Sequence, residues 1–515
     1  MNYEEAISEI QGNERFNVLA LLTLSMMACI SSMDINSIVF IGHTPSYKCV
    51  DPIFNQTQLT WTVKECQAIA RSENGTNHTI YCRNWKYNKT DMTNTISTEF
   101  NLVCNKKKYV TLMNTMFFVG MSVGNFIAIC GDKIGRMRLI HLAVIWEIII
   151  NICLPFATNI WLIILLRFLS GLGTGKIYQG LCYLTEIVSI KRRSLYTNNY
   201  WILYVLGYML IPGLAYGTKD WRLSRHLMNF PLLFYLTYFL LPESPRWLGI
   251  GGKFKKAITN LLLIAKYNGK IFPENKFDSL IITKQKLGNI TDIFGSKIMR
   301  LKMFVLIFVH GTISVSYFGL SINESFLSSN IFLNVFIQGL LETFTGPVAW
   351  IMSSKLNRRV SMLINFLICS VCLMLNNFYS FNNIIVSIVI STLGSIGKFA
   401  LTTAYCICDM YLNEVFPTPI RNMSIFIILG IASIFTVFAP SINGIDEFIP
   451  YFSCSCYSVM CLISGLLIYF FLPETKGCPL PQTLEEGNEL RKGNENNYCN
   501  MILKHDELYN CKTKL

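Results

Sequence analysis

The sequence predicts an all-α membrane protein. Twelve transmembrane helices fall in two six-helix pseudo-repeats, with a large glycosylated loop after the first helix. Three observations predict it. The 515-residue chain is 52% hydrophobic and only 15% charged, where soluble domains carry about 25% charged residues. The apolar residues gather into runs long enough to cross a bilayer. Short motifs of the first half return in the second half at a nearly constant offset.

A deficit of charge on that scale needs a solvent other than water for the apolar surface. The net charge is +13. The basic residues sit in short clusters between apolar runs, which points to a lipid bilayer and away from a nucleic-acid partner.

A hydrocarbon core takes roughly 20 apolar residues per helix. By that rule the spans, numbered 1 to 12, are 16–41, 109–130, 139–157, 161–187, 196–217, 223–241, 303–322, 330–353, 360–376, 384–412, 423–444 and 449–472. Arg225 and His226 interrupt the start of span 6. Residues 1–15 carry Glu4, Glu5, Glu9, Glu14 and one late arginine, which is not the pattern of a cleavable signal peptide.

Loop charge gives the orientation. Loops 2–3, 4–5 and 8–9 hold Lys133, Arg136 and Arg138; Lys191, Arg192 and Arg193; and Lys355, Arg358 and Arg359. Loops 3–4, 7–8, 9–10 and 11–12 hold no lysine or arginine. The positive-inside rule puts the basic set and both termini in the cytosol of a plasma-membrane protein. Loop 5–6 runs against it with Lys219, Arg222 and Arg225, and Lys106, Lys107 and Lys108 precede span 2. The latter end a loop of about 65 residues, a length at which the rule weakens.

That first loop, 42–108, contains the sequons of Asn55, Asn74, Asn77 and Asn88 together with Cys49, Cys66, Cys82 and Cys104. Glycosylation acceptors and an even cysteine count both suit an oxidising outside compartment, with two disulfides and three possible pairings. The sequons at Asn289 and Asn422 fall inside and are expected to stay bare. Other cysteine pairs, such as Cys369 with Cys372 or Cys406 with Cys408, have no histidine nearby and read as buried small residues, so no metal site is expected.

The two halves follow from segment 242–302, which divides the helices six and six. Pro242-Glu243 after span 6 returns as Pro473-Glu474 after span 12, 231 residues later (473 − 242). Glu186 and Arg193 return as Glu414 and Arg421, 228 later (414 − 186), and Lys133 to Arg136 returns as Lys355 to Arg358, 222 later (355 − 133). Such self-similarity marks structural repeats, and parallel six-helix repeats build alternating-access transporters. The domains are then 1–15, a cytoplasmic N-terminus; 16–241, the first half; 242–302, a cytoplasmic linker; 303–472, the second half; and 473–515, a cytoplasmic tail.

The stretch "LLRFLSGLGTGKIYQG" (165–180) looks at first like a phosphate loop. The glycine that such a loop needs five residues before its Gly-Lys pair is Ser170 here, and the context is a span. Gly171 and Gly175 instead open one flank of a helix to a close neighbour. Arg167, a charge within the span, needs a partner or a wet cavity. Lys176 lies about 180° around the helix from it.

The motifs now match a known family. "GDKIGRMR" (131–138) resembles the loop 2–3 motif of the major facilitator superfamily. "STEFNLVC" (97–104), "LPESPRWL" (241–248), "NEVFPTPIRN" (413–422) and "FLPETKGCPLP" (471–481) resemble the organic cation/anion/zwitterion transporters of solute carrier family 22. "YMLIPGLAY" (208–216), "ISVSYFGLS" (313–321), "GKFALTTAY" (397–405) and "IRNM" (420–423) are similar to the carnitine/organic-cation branch. The resemblance implies the major facilitator fold and carriage of carnitine-like quaternary amines, in some members with sodium. It also implies a charge-reading residue in span 11, arginine in the carnitine and anion branches and aspartate in the cation branch. Here that position is Ser433, which is neutral.

Candidate chemistry gathers on span 10, where Lys398, Thr402, Tyr405 and Asp409 fall on one helical stripe. The stripe reads either as structural ion pairs or as a cavity wall, and Lys398 is a candidate to replace the anion-binding role absent at Ser433. Glu342 in span 8, with Tyr317 and Phe318 of span 7, makes a candidate cage for a quaternary ammonium. Trp201, Tyr204 and Tyr208 of span 5 are weaker candidates. Asp34 is a proton or sodium site, or else a partner for Arg167, and Glu147 is a further intramembrane acid. Asp132, Arg136, Glu186, Arg193, Glu243 and Arg246 in one half, and Arg358, Arg359, Glu414, Arg421 and Glu474 in the other, form a candidate cytosolic gate.

The function expected is a carrier for small organic cations or zwitterions, with an organic-anion carrier using Lys398 and Arg167, or a non-transporting sensor or adhesion protein, as alternatives. The sequence holds no nucleophile–base or metal constellation of an enzyme. No cofactor is expected beyond a coupling sodium ion or proton. The basic segment 249–300 is a candidate for contact with anionic lipid. The terminal Thr513-Lys514-Leu515 suits strand addition to a PDZ domain.

Overall fold

The computed structural model describes residues 3–50, 61–63, 66–71, 77–229, 241–270, 288–322, 330–376, 384–446, 448–478, 481, 483–491 and 493. Among them, ten helices are long and apolar enough to cross a bilayer. They are Arg15–Ile41 (span 1), Cys104–Ile134 (2), Arg136–Phe156 (3), Ile160–Ile187 (4), Leu195–Thr218 (5), Lys297–Ile322 (7), Ile331–Lys355 (8), Arg358–Leu375 (9), Arg421–Ile445 (11) and Phe452–Phe471 (12). Span 10 is the 32-residue helix Ile384–Val415. Span 6 is described only at its start, Trp221–Met228.

Helices 3 and 7 start at Arg136 and Lys297, ahead of the apolar runs at 139 and 303. An apolar run measures the thickness of hydrocarbon to be crossed, whereas the helix continues into its polar turns. Side chains cap several ends. Asn159, Asp220 and Asn330 accept bonds from the first amides of spans 4, 6 and 8, which satisfies donors that have no partner within the helix.

Spans 2 and 4 pack backbone to backbone. A Cβ on Gly171 would run into the Phe117 carbonyl, and one on Gly175 would lie 2.6 Å from the Gly124 carbonyl. The glycine stretch is therefore a close-packing flank, as its spacing predicts. A 3-10 turn, Gly173–Gly175, breaks span 4 into two helices.

Each half has its own core. Phe16, Met27, Phe117, Ile140 and Tyr200 centre the first, and Met303, Ile313, Phe366, Leu401 and Phe426 the second. Tyr178 and Phe318 are partly buried against both.

The loop after span 1 is a small β cap. Tyr47–Cys49 pairs antiparallel with Trp85–Tyr87, and Trp61–Val63, Gln67–Arg71 and Asn77–Tyr81 make a second antiparallel sheet. The disulfides are Cys49–Cys82 and Cys66–Cys104. Asn88 is exposed. Asn55 and Asn74 lie outside the described residues.

The basic residues of loop 5–6, which run against the charge rule, are engaged in structure. Arg222 pairs with Glu99 at 2.5 Å, and Lys219 Nζ donates to the Thr90 carbonyl at 3.2 Å. Arg225 is buried.

At the opposite end, where the repeated motifs lie, Pro245–Ile250, Phe254–Tyr267 and Ile290–Gly295 form short helices of the linker. A helix the sequence reading missed, Tyr3–Ile10, buries Ile7 and Ile10 in the first core. The C-terminal tripeptide lies outside the described residues.

Candidate functional site

Two cavities lie between the halves. A central chamber of about 550 Å³ is walled by spans from both halves. A vestibule of about 940 Å³ lies beyond it at the motif end. Trp201, Cys406 and Asp409 line both, so the two are continuous. At the β-cap end the halves meet. Phe332 of span 8 stacks on Phe40 of span 1 at 5.4 Å between ring centroids and meets Tyr216 of span 5 edge-on at 5.5 Å. Deeper in, on the motif side of the spans, Ser122 donates to the Gly430 carbonyl at 2.8 Å, and Asn125 Nδ2 to Ser433 Oγ at 3.0 Å, tying span 2 to span 11. The structure is closed at the cap and open at the motifs.

Aromatic rings dominate the chamber. Tyr178, Trp201, Tyr204, Tyr317, Phe318 and Tyr405 all lie on its wall. Tyr317 and Tyr405 are parallel with centroids 6.3 Å apart, and Trp201 meets Tyr178 and Tyr204 edge-on. The Tyr178 and Tyr405 hydroxyls are 2.7 Å apart across the two halves. The ionisable wall residues besides the tyrosines and Cys406 are Glu342, Asp409 and His310; no lysine or arginine lines the chamber among the described residues.

Both carboxylates are engaged, in different ways. Glu342 lies 3.4 Å from Lys398 Nζ, and the Tyr317 hydroxyl donates to its other oxygen at 3.2 Å. Asp409 Oδ1 lies 3.4 Å from His310 Nε2, and its Oδ2 accepts no hydrogen bond among the described residues.

The predicted stripe on span 10 is therefore divided. Thr402, Tyr405 and Asp409 reach the chamber. Lys398 does not, and its ammonium sits behind Glu342, 5.1 and 5.5 Å from the Tyr208 and Tyr317 ring centroids. Ser433 lies on the wall, as the register predicts, beside Asn125.

Arg167 is corrected too: it is structural rather than chamber-lining. Its guanidinium is 1% exposed, donates to Asp34 at 3.2 Å and covers the Phe117 ring at 4.4 Å. Asp34 also receives Arg225 at 2.6 Å, and Arg225 reaches Asn151 Oδ1 at 2.7 Å. The choice for Asp34 between ion site and arginine partner thus falls to the arginines. On the far face of span 4, Lys176 pairs with Glu147 at 2.7 Å, the opposition that the helical angle predicts.

The motif end shows the repeat at atomic detail. Glu243 accepts the Met137 amide at 3.0 Å at the start of span 3, and Glu474 accepts the Arg358 amide at 2.8 Å and the Arg359 amide at 3.2 Å at the start of span 9. Arg136 pairs with Asp132 at 2.6 Å and with Glu186 at 3.3 Å; Arg358 pairs with Glu414 at 3.3 Å and Arg359 with Glu474 at 3.6 Å. These pairs stay within one half, so in this conformation they staple each rim rather than latch rim to rim. Arg193, Arg246 and Arg421 line the vestibule.

Residues 57–486 match the family described as "Sugar (and other) transporter". The chain belongs to that family. Its curated relatives in this transporter family include human organic cation/carnitine transporter 2, 30% identical over 78% of this chain and 73% of the relative. Mouse solute carrier family 22 member 4 is 26% identical over 95% of both chains. The bromodeoxyglucose-bound structure of the proton:xylose symporter XylE, a major facilitator superfamily protein, superposes with a TM-score of 0.64 at 18% identity, covering 92% of this chain and 99% of that one. The chain is a multi-pass transporter with the twelve-helix major facilitator fold, and not an enzyme.

Several chamber residues of this transporter escaped the sequence reading, Tyr178, His310 and Asn125 among them. His310 and Asn125 are single polar groups in apolar runs, and the rule that an ionisable residue in a span is functional by default would have flagged His310.

Proposed function

We propose that the protein is a plasma-membrane carrier that moves small organic cations, quaternary amines foremost, by alternating access. One observation carries this reading: a chamber with seven aromatic residues and two carboxylates on its wall and no lysine or arginine among the described lining residues. A cation over an aromatic face gains about 0.5–2 kcal/mol per ring, and Asp409 supplies a carboxylate oxygen without another donor. The relatives named for organic cations and carnitine support the class.

Neutral Ser433, and Lys398 held behind Glu342, leave a substrate carboxylate no lysine or arginine among the described chamber residues. Simple monocations are therefore favoured over zwitterions and anions. The motif end faces the cytosol, the β cap faces outside with glycans on its sequons, and the motif-end charges form the gate. The tail is offered to a PDZ domain.

Uptake of labelled tetraethylammonium, carnitine and a dicarboxylate by one expressing cell line tests the reading. Tetraethylammonium is expected to enter fastest. Dicarboxylate entry in preference to both, or no entry of any with normal surface expression, would overturn it.

A further inference from the structure

We propose that His310 and Asp409 form a proton site that the transported cation empties, so that the carrier exchanges one proton for each monovalent cation. The proposal rests on the cation reading of the chamber.

The pair joins spans 7 and 10 at the boundary of chamber and vestibule. His310 Nε2 lies 3.4 Å from Asp409 Oδ1, and Ser314 Oγ lies 3.4 Å from His310 Nδ1. The serine hydroxyl can donate to a neutral ring or accept from an imidazolium, so the surroundings suit both protonation states. His310 is 1% exposed, while Asp409 lies on the walls of both cavities and so connects the pair to the vestibule.

Charge balance then dictates exchange. Glu342 is already matched by Lys398. Among the described residues, Asp409 has only His310 as a charge partner. With a neutral imidazole and an empty chamber, Asp409 is a buried carboxylate without a countercharge, an expensive arrangement. An imidazolium brings the pair to zero. A monocation bound against Oδ2 also brings the pair to zero, but an imidazolium beside it leaves one positive charge too many. The proton on the ring then passes to vestibule water as the cation binds, and a proton must return before the empty carrier resets.

Among the described residues, the groups packed around the pair supply no alternative countercharge. Spans 11 and 12, which pack on span 7, carry no charged residue from Ser424 to Gly444 or from Phe452 to Phe471. Tyr178, Tyr405 and Cys406 face the pair without a positive charge to offer. In the vestibule below, Arg136 and Arg358 are paired with Glu186 and Glu414, while Arg193 and Arg421 stand on its wall with Asp132. Two further buried acids are matched: Asp34 is clamped by two arginines, and Glu147 pairs with Lys176.

The test uses the full-length carrier in proteoliposomes with the voltage clamped. The probe is tetraethylammonium, whose charge does not vary with pH. With the lumen about 1.5 pH units more acidic than the medium, one-for-one exchange drives accumulation toward about 30-fold. Adding the probe is expected to alkalinise the lumen. In His310→Gln the ratio of uptake with and without the gradient is expected to fall to about one, whatever the absolute rate, and Asp409→Asn gives a second reading of that ratio. Wild-type uptake that ignores the gradient and leaves lumen pH unchanged overturns this proposal alone, as does gradient stimulation that survives in both variants. No tetraethylammonium uptake by the wild type overturns the cation reading as well.

Discussion

Glu342 and Lys398 face each other across spans 8 and 10 with 3.4 Å between carboxylate and ammonium, and neither side chain is more than 3% exposed. Removing one partner leaves a buried charge alone, which costs about 3–5 kcal/mol, whereas removing both often costs little. Lys398→Met is expected to lower the thermal stability of the purified protein sharply, and Lys398→Met with Glu342→Gln to regain most of it. Additive losses in that double-mutant cycle would show that the two do not interact.

Asp34 holds two arginines at once. Asp34→Asn leaves Arg167 and Arg225 facing each other in an apolar interior. The expected result is a loss of folded, surface-delivered protein by about 3 kcal/mol or more, scored by fluorescence-detected size exclusion after heating. Normal yield and stability would argue that the arginines find other countercharges.

Gly135 has φ of 122° and a would-be Cβ 2.5 Å from Glu243 Oε2. Gly135→Ala combines backbone strain with displacement of the carboxylate that caps span 3, and is expected to cost about 2 kcal/mol or more. Gly213→Ala, with nothing within 4 Å of its Cβ position, is the matched control and is expected to be neutral or slightly stabilising. Equal melting temperatures for the two variants would contradict this account.

The Glu99 carboxyl gives the cap a pH dependence. Burial alone would raise it, but hydrogen bonds from Arg222 and Trp221, with the Arg222 charge, hold it below the usual carboxylate range. A depressed carboxyl contributes stability that is present above the unfolded value of about 4.3 and is lost as pH falls through the lower folded value. Hydrogen exchange in residues 94–104 is therefore expected to stay slow at neutral pH and quicken only at strongly acidic pH. Glu99→Gln should quicken it at neutral pH and flatten the acid response.

Ser433 faces the chamber beside Asn125. Ser433→Asp is expected to raise the uptake ratio of tetraethylammonium to a monocarboxylate about tenfold, and Ser433→Arg to lower it by a similar factor, as a charge worth about 1.4 kcal/mol would do. Identical ratios would place the cargo elsewhere.

The sequence revealed the spans because each is dominated by a long apolar run, and revealed the repeat because its motifs recur at a nearly constant offset. It could not show which charges meet across helices. Arg225 reads as an interruption of span 6, yet it is the countercharge that Asp34 requires. Lys398 and Asp409 share a stripe, yet one ends behind the wall and the other on it, because a stripe fixes a helix face and not what stands in front of it. The β cap was legible only through its sequons and cysteines, not as strands. Their pairing depends on strand register, which a spacing of loop residues does not determine.

The β cap belongs mechanically to one lobe. The hydrogen bonds described between it and the rest of the protein, at Thr90, Thr93, Asn94 and Glu99, involve Lys219, Asp220, Trp221 and Arg222. A nanobody that grips the cap alone would ride with that lobe as a passenger and let turnover proceed. A nanobody meant to arrest the cycle has to bridge the rim where Phe40 and Phe332 close, clamping one lobe to the other.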